Sequence, residues 1–175
     1  MTHDALGTSR MDCAVKRLQD FNPRMEIKAV KENINSDNVA ALVEEADIIV
    51  DCAPLFEERF PMNKESVRQG KAMIECAMFE MEAHITTFKP GMTGCLQCLY
   101  PEKPDYWQRR FPVFGAVSGM VGCLGAMEAI KVICDLGKPL FNRLLTCDLR
   151  GMSFKTVNLR ANPDCPVCGK NATIG

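Results

Sequence analysis

Asp47-Ile48-Ile49-Val50-Asp51-Cys52 is a nearly continuous apolar run with the length of a β-strand. Such a run is typical of a parallel strand that is buried on both faces of a sheet. The following segment, Phe56–Gly70, has the character of a helix despite Pro61, and Lys71–Phe79 predicts the next buried strand. This alternation of strand and helix indicates the α/β class, with a doubly wound sheet that is mostly parallel.

Further elements are predicted on both sides of this core. The periodicity of Ser9–Phe21 indicates a helix that ends at Asn22-Pro23, because proline disfavours a helical conformation at the residue before it. A strand is predicted over Met25–Val30 and a short helix over Asp37–Ala46. The C-terminal part predicts the strands of a mixed or antiparallel region at His84–Lys89, Arg143–Asp148 and Ser153–Leu159.

Two cysteine pairs have the C-x-x-C spacing that lets two thiolates bind one tetrahedral Zn²⁺ from a tight turn. They are Cys95-Leu96-Gln97-Cys98 and Cys165-Pro166-Val167-Cys168. Two redox dithiols or two disulfides are the alternatives. We favour one structural zinc shared by both pairs, because paired C-x-x-C motifs are typical of zinc sites. A catalytic zinc is not expected, because four thiolates leave no open position. A zinc affinity of about 10–16 kcal/mol would be a large part of the folding stability.

Composition argues against several kinds of partner. The net charge of −1 gives no reason to expect electrostatic binding to nucleic acid or to an anionic membrane. The N-terminus lacks the basic region and apolar core of a signal peptide, and six further cysteines lie mostly in apolar runs, as reduced core residues do. We therefore expect a cytoplasmic protein with one domain over residues 1–175.

One segment approaches the length of a membrane span, because residues 111–127 carry no charge. Glu128 and Lys131 follow at once, and small residues at spacings of three and four let a sheet or another helix approach closely. These residues are Gly115, Gly119, Gly122 and Gly125. We interpret the segment as a buried, glycine-faced helix of a soluble core and expect no membrane association.

A nucleotide-binding α/β sheet normally opens with a strand, a glycine-rich turn and a helix whose N-terminus receives the phosphates. This sequence contains neither G-x-G-x-x-G nor a Walker A motif, and it begins with a predicted helix. The glycine-rich, phosphate-binding half of such a fold is therefore expected to be absent from the chain.

Five segments together carry a family resemblance over nearly the whole chain. Gly7-Thr8-Ser9-Arg10 stands where the family has Gly-x-Pro-Lys, and Val50-Asp51-Cys52, followed by Arg59 and Asn63, is similar to V-D-C-T-D-N…R…N. The other three are Cys95–Pro101, the glycine-rich helix Gly115–Lys131 and the closing knuckle Asn162–Gly169. In this combination and order they resemble the ThiF/MoeB/HesA family of the ubiquitin-activating-enzyme-like superfamily.

The resemblance implies a Rossmann-like domain with a Cys₄ zinc knuckle, in a homodimer or heterodimer. It implies that Mg·ATP adenylates the C-terminal carboxylate of a ubiquitin-like or sulfur-carrier protein, in sulfur transfer for cofactor biosynthesis. The chain would be the C-terminal portion of that adenylation domain. Arg10, Arg59 and Asn63 match cofactor-binding positions, where cations would neutralise the triphosphate.

Two departures from the family pattern stand at its catalytic positions. Pro54 aligns with the family's Mg-binding aspartate, and proline offers neither a carboxylate nor an amide proton. Asp51, three residues earlier, is the candidate replacement ligand. Gln108 aligns with the family's conserved cysteine, which excludes a thioester or persulfide at that position.

No catalytic residue is assigned, because the only histidines, His3 and His84, form no Cys–His pair by spacing. Two hypotheses follow. The chain is an ATP-dependent adenylyltransferase, or it is an inactive pseudo-activating subunit that binds a carrier protein.

Overall fold

The computed structural model describes residues 3–170 and residue 172. It contains two compact units, residues 1–33 and residues 34–175. In the first unit, a short 3-10 helix (His3–Ala5) precedes helix α1 (Arg10–Phe21). The Oγ atom of Ser9 accepts a hydrogen bond from the backbone N of Asp12 at 3.3 Å and so caps α1. The predicted first helix is confirmed, and the single-domain assignment stays a prediction.

Residues 25–30 form no strand, so the strand predicted there is wrong. An extended segment forms a stable β-strand only when neighbouring strands supply hydrogen bonds. In the part of the chain that the structure describes, the five strands pair with one another within the second unit. The described residues of the first unit, which include residues 25–30, form helices and no strand.

The second unit is built on one five-stranded sheet in the order β1-β2-β3-β4-β5. The strands are β1 (Ile48–Asp51), β2 (Ala72–Phe79), β3 (Glu82–Phe88), β4 (Arg143–Asp148) and β5 (Ser153–Asn158). The α/β class with antiparallel C-terminal strands is confirmed. Only β1 and β2 pair in parallel and the other pairs are antiparallel, because no strand over residues 25–30 extends the parallel side.

Helices cover both faces of this sheet. They are α2 (Val39–Glu44), α3 (Phe56–Gln69), α4 (Leu96–Leu99) and α5 (Gly115–Cys134). Successive side chains of β2 point to opposite faces. Met73 packs in one core cluster with Val39 and Met62, whereas Ile74 packs in another with Val121 of α5. Strand β1 lies at the sheet edge, where Val50 is 42% exposed, so its predicted burial on both faces is wrong.

Helix α5 packs against the sheet by one stripe only. Its buried residues recur every three or four positions: Val117, Val121, Gly125 and Glu128. Only 22% of the most apolar 18-residue segment of α5 is buried. The prediction of a buried helix therefore holds for that stripe and fails for the rest of α5. Helix α5 is long and apolar enough to cross a membrane. This is weak evidence for a membrane span, because core helices of soluble proteins meet the same criteria.

Candidate metal centre and strand-end cavity

The four cysteines of the two C-x-x-C pairs converge on one point. The Sγ atoms of Cys95, Cys98, Cys165 and Cys168 all lie within 4.8 Å of one another. Two contacts run between the pairs, at 3.7 Å from the Sγ of Cys95 to that of Cys165 and 3.4 Å from the Sγ of Cys98 to that of Cys168. All four are free cysteines. These distances exceed the covalent length of about 2.05 Å, so the cluster has the form of one shared site.

Two glycines make the tight turns of this cluster possible. A Cβ atom on Gly169 would lie 2.5 Å from the carbonyl oxygen of Cys165, which no side chain tolerates. The backbone N of Gly169 instead donates a hydrogen bond to that oxygen at 2.9 Å. At the other pair, a Cβ atom on Gly94 would lie 3.1 Å from the Cα of Ala161. The main chain can therefore approach closely enough to bring both pairs together.

Hydrogen bonds to sulfur stabilise the cluster from outside. Asn63 is 1% exposed, donates from Nδ2 to the Sγ of Cys95 at 3.6 Å, and accepts from the backbone N of Leu96 at 2.9 Å. The backbone N of Asn162 lies 3.4 Å from the Sγ of Cys98. Such contacts orient ligands and stabilise negative charge on sulfur.

The pKa values of the four thiols indicate how readily each sulfur loses the proton that a metal ion would replace. Burial raises the pKa of Cys95 to about 11, although the Asn63 contact opposes the shift. Burial and the neighbouring Cys98 thiol also raise the pKa of Cys168. Burial acts against ionisation at Cys165 too, but the backbone N–H groups of Cys168 and Val167 lower its pKa. A closed set of four sulfur donors is the ligand set of structural zinc. The residues therefore fit a metal, whose binding would release thiol protons.

A buried charged cluster lies at the carboxyl end of β1, beside the middle of β2. The Nη1 atom of Arg59 is 3.7 Å from Oδ2 of Asp51 and 3.5 Å from Oε1 of Glu75, and these side chains are at most 2% exposed. Arg59 also donates to the carbonyl oxygens of Ala53 at 2.8 Å and Cys76 at 3.3 Å. The Nη1 atom and both Glu75 oxygens have no hydrogen-bond partner.

One guanidinium faces two buried carboxylates in this cluster. Burial raises the pKa of Glu75 to about 8, with Arg59 opposing the shift and Asp51 adding to it. Burial also raises the pKa of Asp51, again against the effect of Arg59. A single cation compensates one anion, and a pKa of about 8 leaves Glu75 mainly protonated at neutral pH.

A cavity of about 190 Å³ opens beside this cluster. It lies beyond the carboxyl end of β1 and beside β2. Ligands of α/β sheets usually bind beyond the carboxyl ends of parallel strands. Its wall includes Pro54 from the segment after β1, Arg59 of α3, Trp107 from the loop between α4 and α5, and Gly122 of α5. The Nε1 atom of Trp107 donates to the carbonyl oxygen of Pro54 at 2.8 Å and fixes the loop against the strand end.

The predicted cofactor-binding residues are distributed over three places. Arg10 begins α1 in the first unit. Asp51 and Arg59 lie together at the strand end, and Asn63, one helical turn after Arg59, lies at the cysteine cluster. Their contact with a nucleotide stays a prediction. Asp51 is fully buried and does not line the cavity. Its Oδ1 atom accepts a hydrogen bond from the backbone N of Ala53 at 2.9 Å.

Two residues of the site carried a weaker signal in the sequence. Glu75 is the one charge in the apolar run of β2, which could have marked it as a buried partner of a cation. Trp107 is the only tryptophan and is 5% exposed, but nothing local predicts that its indole reaches Pro54. Gln108, beside it, is exposed.

The fold and site define a class: a Rossmann-like α/β domain with a closed four-thiol cluster that could hold a metal. Comparison with known proteins is more specific. The chain belongs to the ThiF family, whose sequence model matches residues 1–167. The predicted ThiF/MoeB/HesA resemblance is thereby confirmed.

Individual relatives agree with this assignment. The chain is 48% identical to Protein HesA of Leptolyngbya boryana. The match covers 98% of this chain and 62% of that protein. It is 33% identical to the sulfur carrier protein adenylyltransferase of Thermus thermophilus, covering 98% of this chain and 67% of that one. The crystal structure of E. coli MccB with succinimide matches with a TM-score of 0.83 at 25% identity, covering 97% of this chain and 53% of MccB.

Proposed function

We propose that the protein takes part in the ATP-dependent activation of the C-terminal carboxylate of a small ubiquitin-like or sulfur-carrier protein. Membership of the ThiF family supports this role, as do relatives described as a sulfur carrier protein adenylyltransferase and a SAMP-activating enzyme E1. The structural observation that carries the proposal is the strand-end cavity, whose wall includes Arg59.

Arg59 would act through its fixed positive charge. Activation brings a carboxylate towards a polyanionic triphosphate, so the site must hold cations in place before the reaction. Two backbone carbonyls and two acidic side chains hold the guanidinium, which therefore needs no rearrangement when an anion enters. The carboxylates of Asp51 and Glu75 would offset part of the positive charge of Arg59. Protonation of Glu75 leaves more of that positive charge uncompensated.

We propose that zinc occupies the cysteine cluster and has a structural role. The cluster joins residues 95–98, which follow β3, to residues 165–168, which follow β5. Zinc would thus connect the C-terminal segment to α4 and, through Asn63, to α3. Through that helix the metal would support the position of Arg59, which is four residues from Asn63.

The residues at the strand end do not fit Mg²⁺, which favours a second form of this function. Pro54 stands where the family has an aspartate, and Asp51 is buried against Arg59. Gln108 offers no thiol for a covalent intermediate. In this second form the chain is a pseudo-activating subunit, which binds the carrier protein while another subunit supplies the ATP site.

Association and location belong to the same proposal. Large apolar side chains are exposed on α5, namely Met127, Ile130 and Ile133, and a homodimer or heterodimer would cover them. All ten cysteines are free, in agreement with the reducing cytoplasm.

The test combines carrier binding with ATP–pyrophosphate exchange. The 175-residue protein is titrated with a sulfur-carrier protein that ends in Gly-Gly, and a carrier lacking both glycines is the control. We expect binding that depends on the glycines, and no exchange by the isolated chain. Carrier-dependent exchange would establish the adenylyltransferase form instead. Absence of both binding and exchange would contradict the proposed function in either form.

A further inference from the structure

Two cysteines outside the metal cluster meet at the strand-end cavity. The β1–β2 register pairs Asp51 with Glu75, so Cys52 and Cys76 occupy the next pair of positions. Both line the cavity wall. Cys76 is buried at 4% exposure, whereas Cys52 is exposed to solvent.

The geometry of adjacent parallel strands suits a disulfide at these positions. Neighbouring strands are roughly 4.8 Å apart, within the Cα separation of about 4.4–6.8 Å that disulfides span. Side chains at paired positions of parallel strands point to the same face, and both cysteines line the same cavity. Gly125 of α5 leaves the space that the Cys76 thiol fills, because a Cβ atom there would overlap its Sγ.

We propose that Cys52 and Cys76 form a reversible disulfide in the wall of the strand-end cavity. This inference does not depend on the proposed function. Cys52 is the residue that meets the oxidant, because it is the exposed member of the pair. Cys76 is the resolving residue, because it lies beside Cys52 and is shielded from solvent by α5.

The reaction is thiol–disulfide exchange with a low-molecular-weight disulfide such as oxidised glutathione. The Cys52 thiolate attacks one sulfur of the oxidant, forms a mixed disulfide and releases one thiol. The Cys76 thiol loses its proton, attacks the Cys52 sulfur and releases the second thiol. The two cysteines together lose two electrons and two protons, which the oxidant takes up as it becomes two thiols.

The new bond would alter the wall of the cavity beside Pro54 and Arg59. It would replace two thiols with a cross-link between the residue that follows β1 and the middle of β2. The oxidised and reduced proteins would therefore present different surfaces to any ligand of the cavity.

Peptide mapping of the whole protein tests the proposal. The reduced protein is equilibrated with a mixture of oxidised and reduced glutathione, blocked with N-ethylmaleimide and digested without reductant. We expect a cross-linked peptide that contains Cys52 and Cys76 and is released by dithiothreitol. In Cys76→Ser, the glutathione adduct on Cys52 should accumulate about tenfold above wild type, because no thiol resolves it.

Cys123→Ser is the matched control, since Cys123 is exposed on α5 outside the pair. It should give the wild-type yield of cross-link. The proposal is overturned if wild-type Cys52 keeps the glutathione adduct at the level of Cys76→Ser, stays fully blocked by maleimide, or pairs equally with other cysteines. Should Cys76→Ser fail to fold, the wild-type peptide map still decides, because it identifies the partner of Cys52 directly.

Discussion

The side-chain amide of Asn63 lies against the Sγ atom of Cys95, with Nδ2 donating at 3.6 Å. Its oxygen accepts from the backbone N of Leu96, the first residue of α4, at 2.9 Å. One side chain of α3 therefore holds both a sulfur of the cysteine cluster and the start of the helix that carries Cys98 towards it.

Asn63→Ala should weaken metal binding. Its loss would leave a buried amide of Leu96 and the Cys95 sulfur without their partner, and such outer contacts typically contribute about 10–100-fold in metal affinity. Competition with a zinc chelator measures the change. Lys64→Ala, an exposed neighbour on the same helix, should leave the affinity unchanged. Equal affinities for wild type and Asn63→Ala would show that the contact has no influence on the metal.

The cysteine cluster should hold one zinc per chain. Four free sulfurs within 4.8 Å of one another provide a closed tetrahedral ligand set. Metal analysis of the purified protein should give a stoichiometry near one, and chelation should lower the thermal midpoint. Cys165→Ser should lose most of the zinc, whereas Cys147→Ser, at a buried cysteine elsewhere, should retain it. A wild-type content well below one zinc would contradict this assignment.

Local pattern was sufficient for much of the fold. The apolar runs at residues 47–52 and 71–79 and the helical character of Phe56–Gly70 predicted β1, β2 and α3. Gly70 ends α3 in the left-handed conformation, at φ 69°. The C-x-x-C spacing likewise predicted the cluster, because ligand geometry constrains sequence spacing directly.

The features that depend on distant partners were harder to predict. Residues 25–30 have the alternation of a strand but no neighbouring strand, and α5 has the composition of a core helix although the sheet covers only one stripe. The family motif placed Asp51 and Asn63 together at a cofactor site. In the fold, Asp51 pairs with Arg59, whereas Asn63 contacts Cys95. The direction of each side chain depends on its packing.

Two glycines of α5 should respond to alanine in opposite ways. A methyl group on Gly125 would overlap the Cys76 thiol, so Gly125→Ala should destabilise the fold by about 1–3 kcal/mol. Gly122 has no atom within 4 Å of the added carbon, so Gly122→Ala should stabilise the helix by about 0.5–1 kcal/mol. Urea unfolding of both variants measures the difference. Shifts of the same sign would mean that the close packing of α5 on β2 is absent.

Glu75 should make the folded state less stable as pH rises. Its pKa is raised from 4.5 to about 8 in the folded protein, so between these values the folded state binds more protons than the unfolded state. The free energy of unfolding should therefore fall with increasing pH in this window, by at most about 1.4 kcal/mol per pH unit from this group.

Glu75→Gln isolates this contribution, because glutamine preserves the shape of the side chain and does not titrate. Urea unfolding between pH 5 and 8 (the window set by these pKa values) should give a flatter profile for the variant than for wild type. Glu82→Gln, at an exposed position of β3, is the control and should keep the wild-type slope. Parallel profiles for wild type and Glu75→Gln would show that Glu75 ionises normally beside Arg59, and the buried cluster would then carry two anions for one cation.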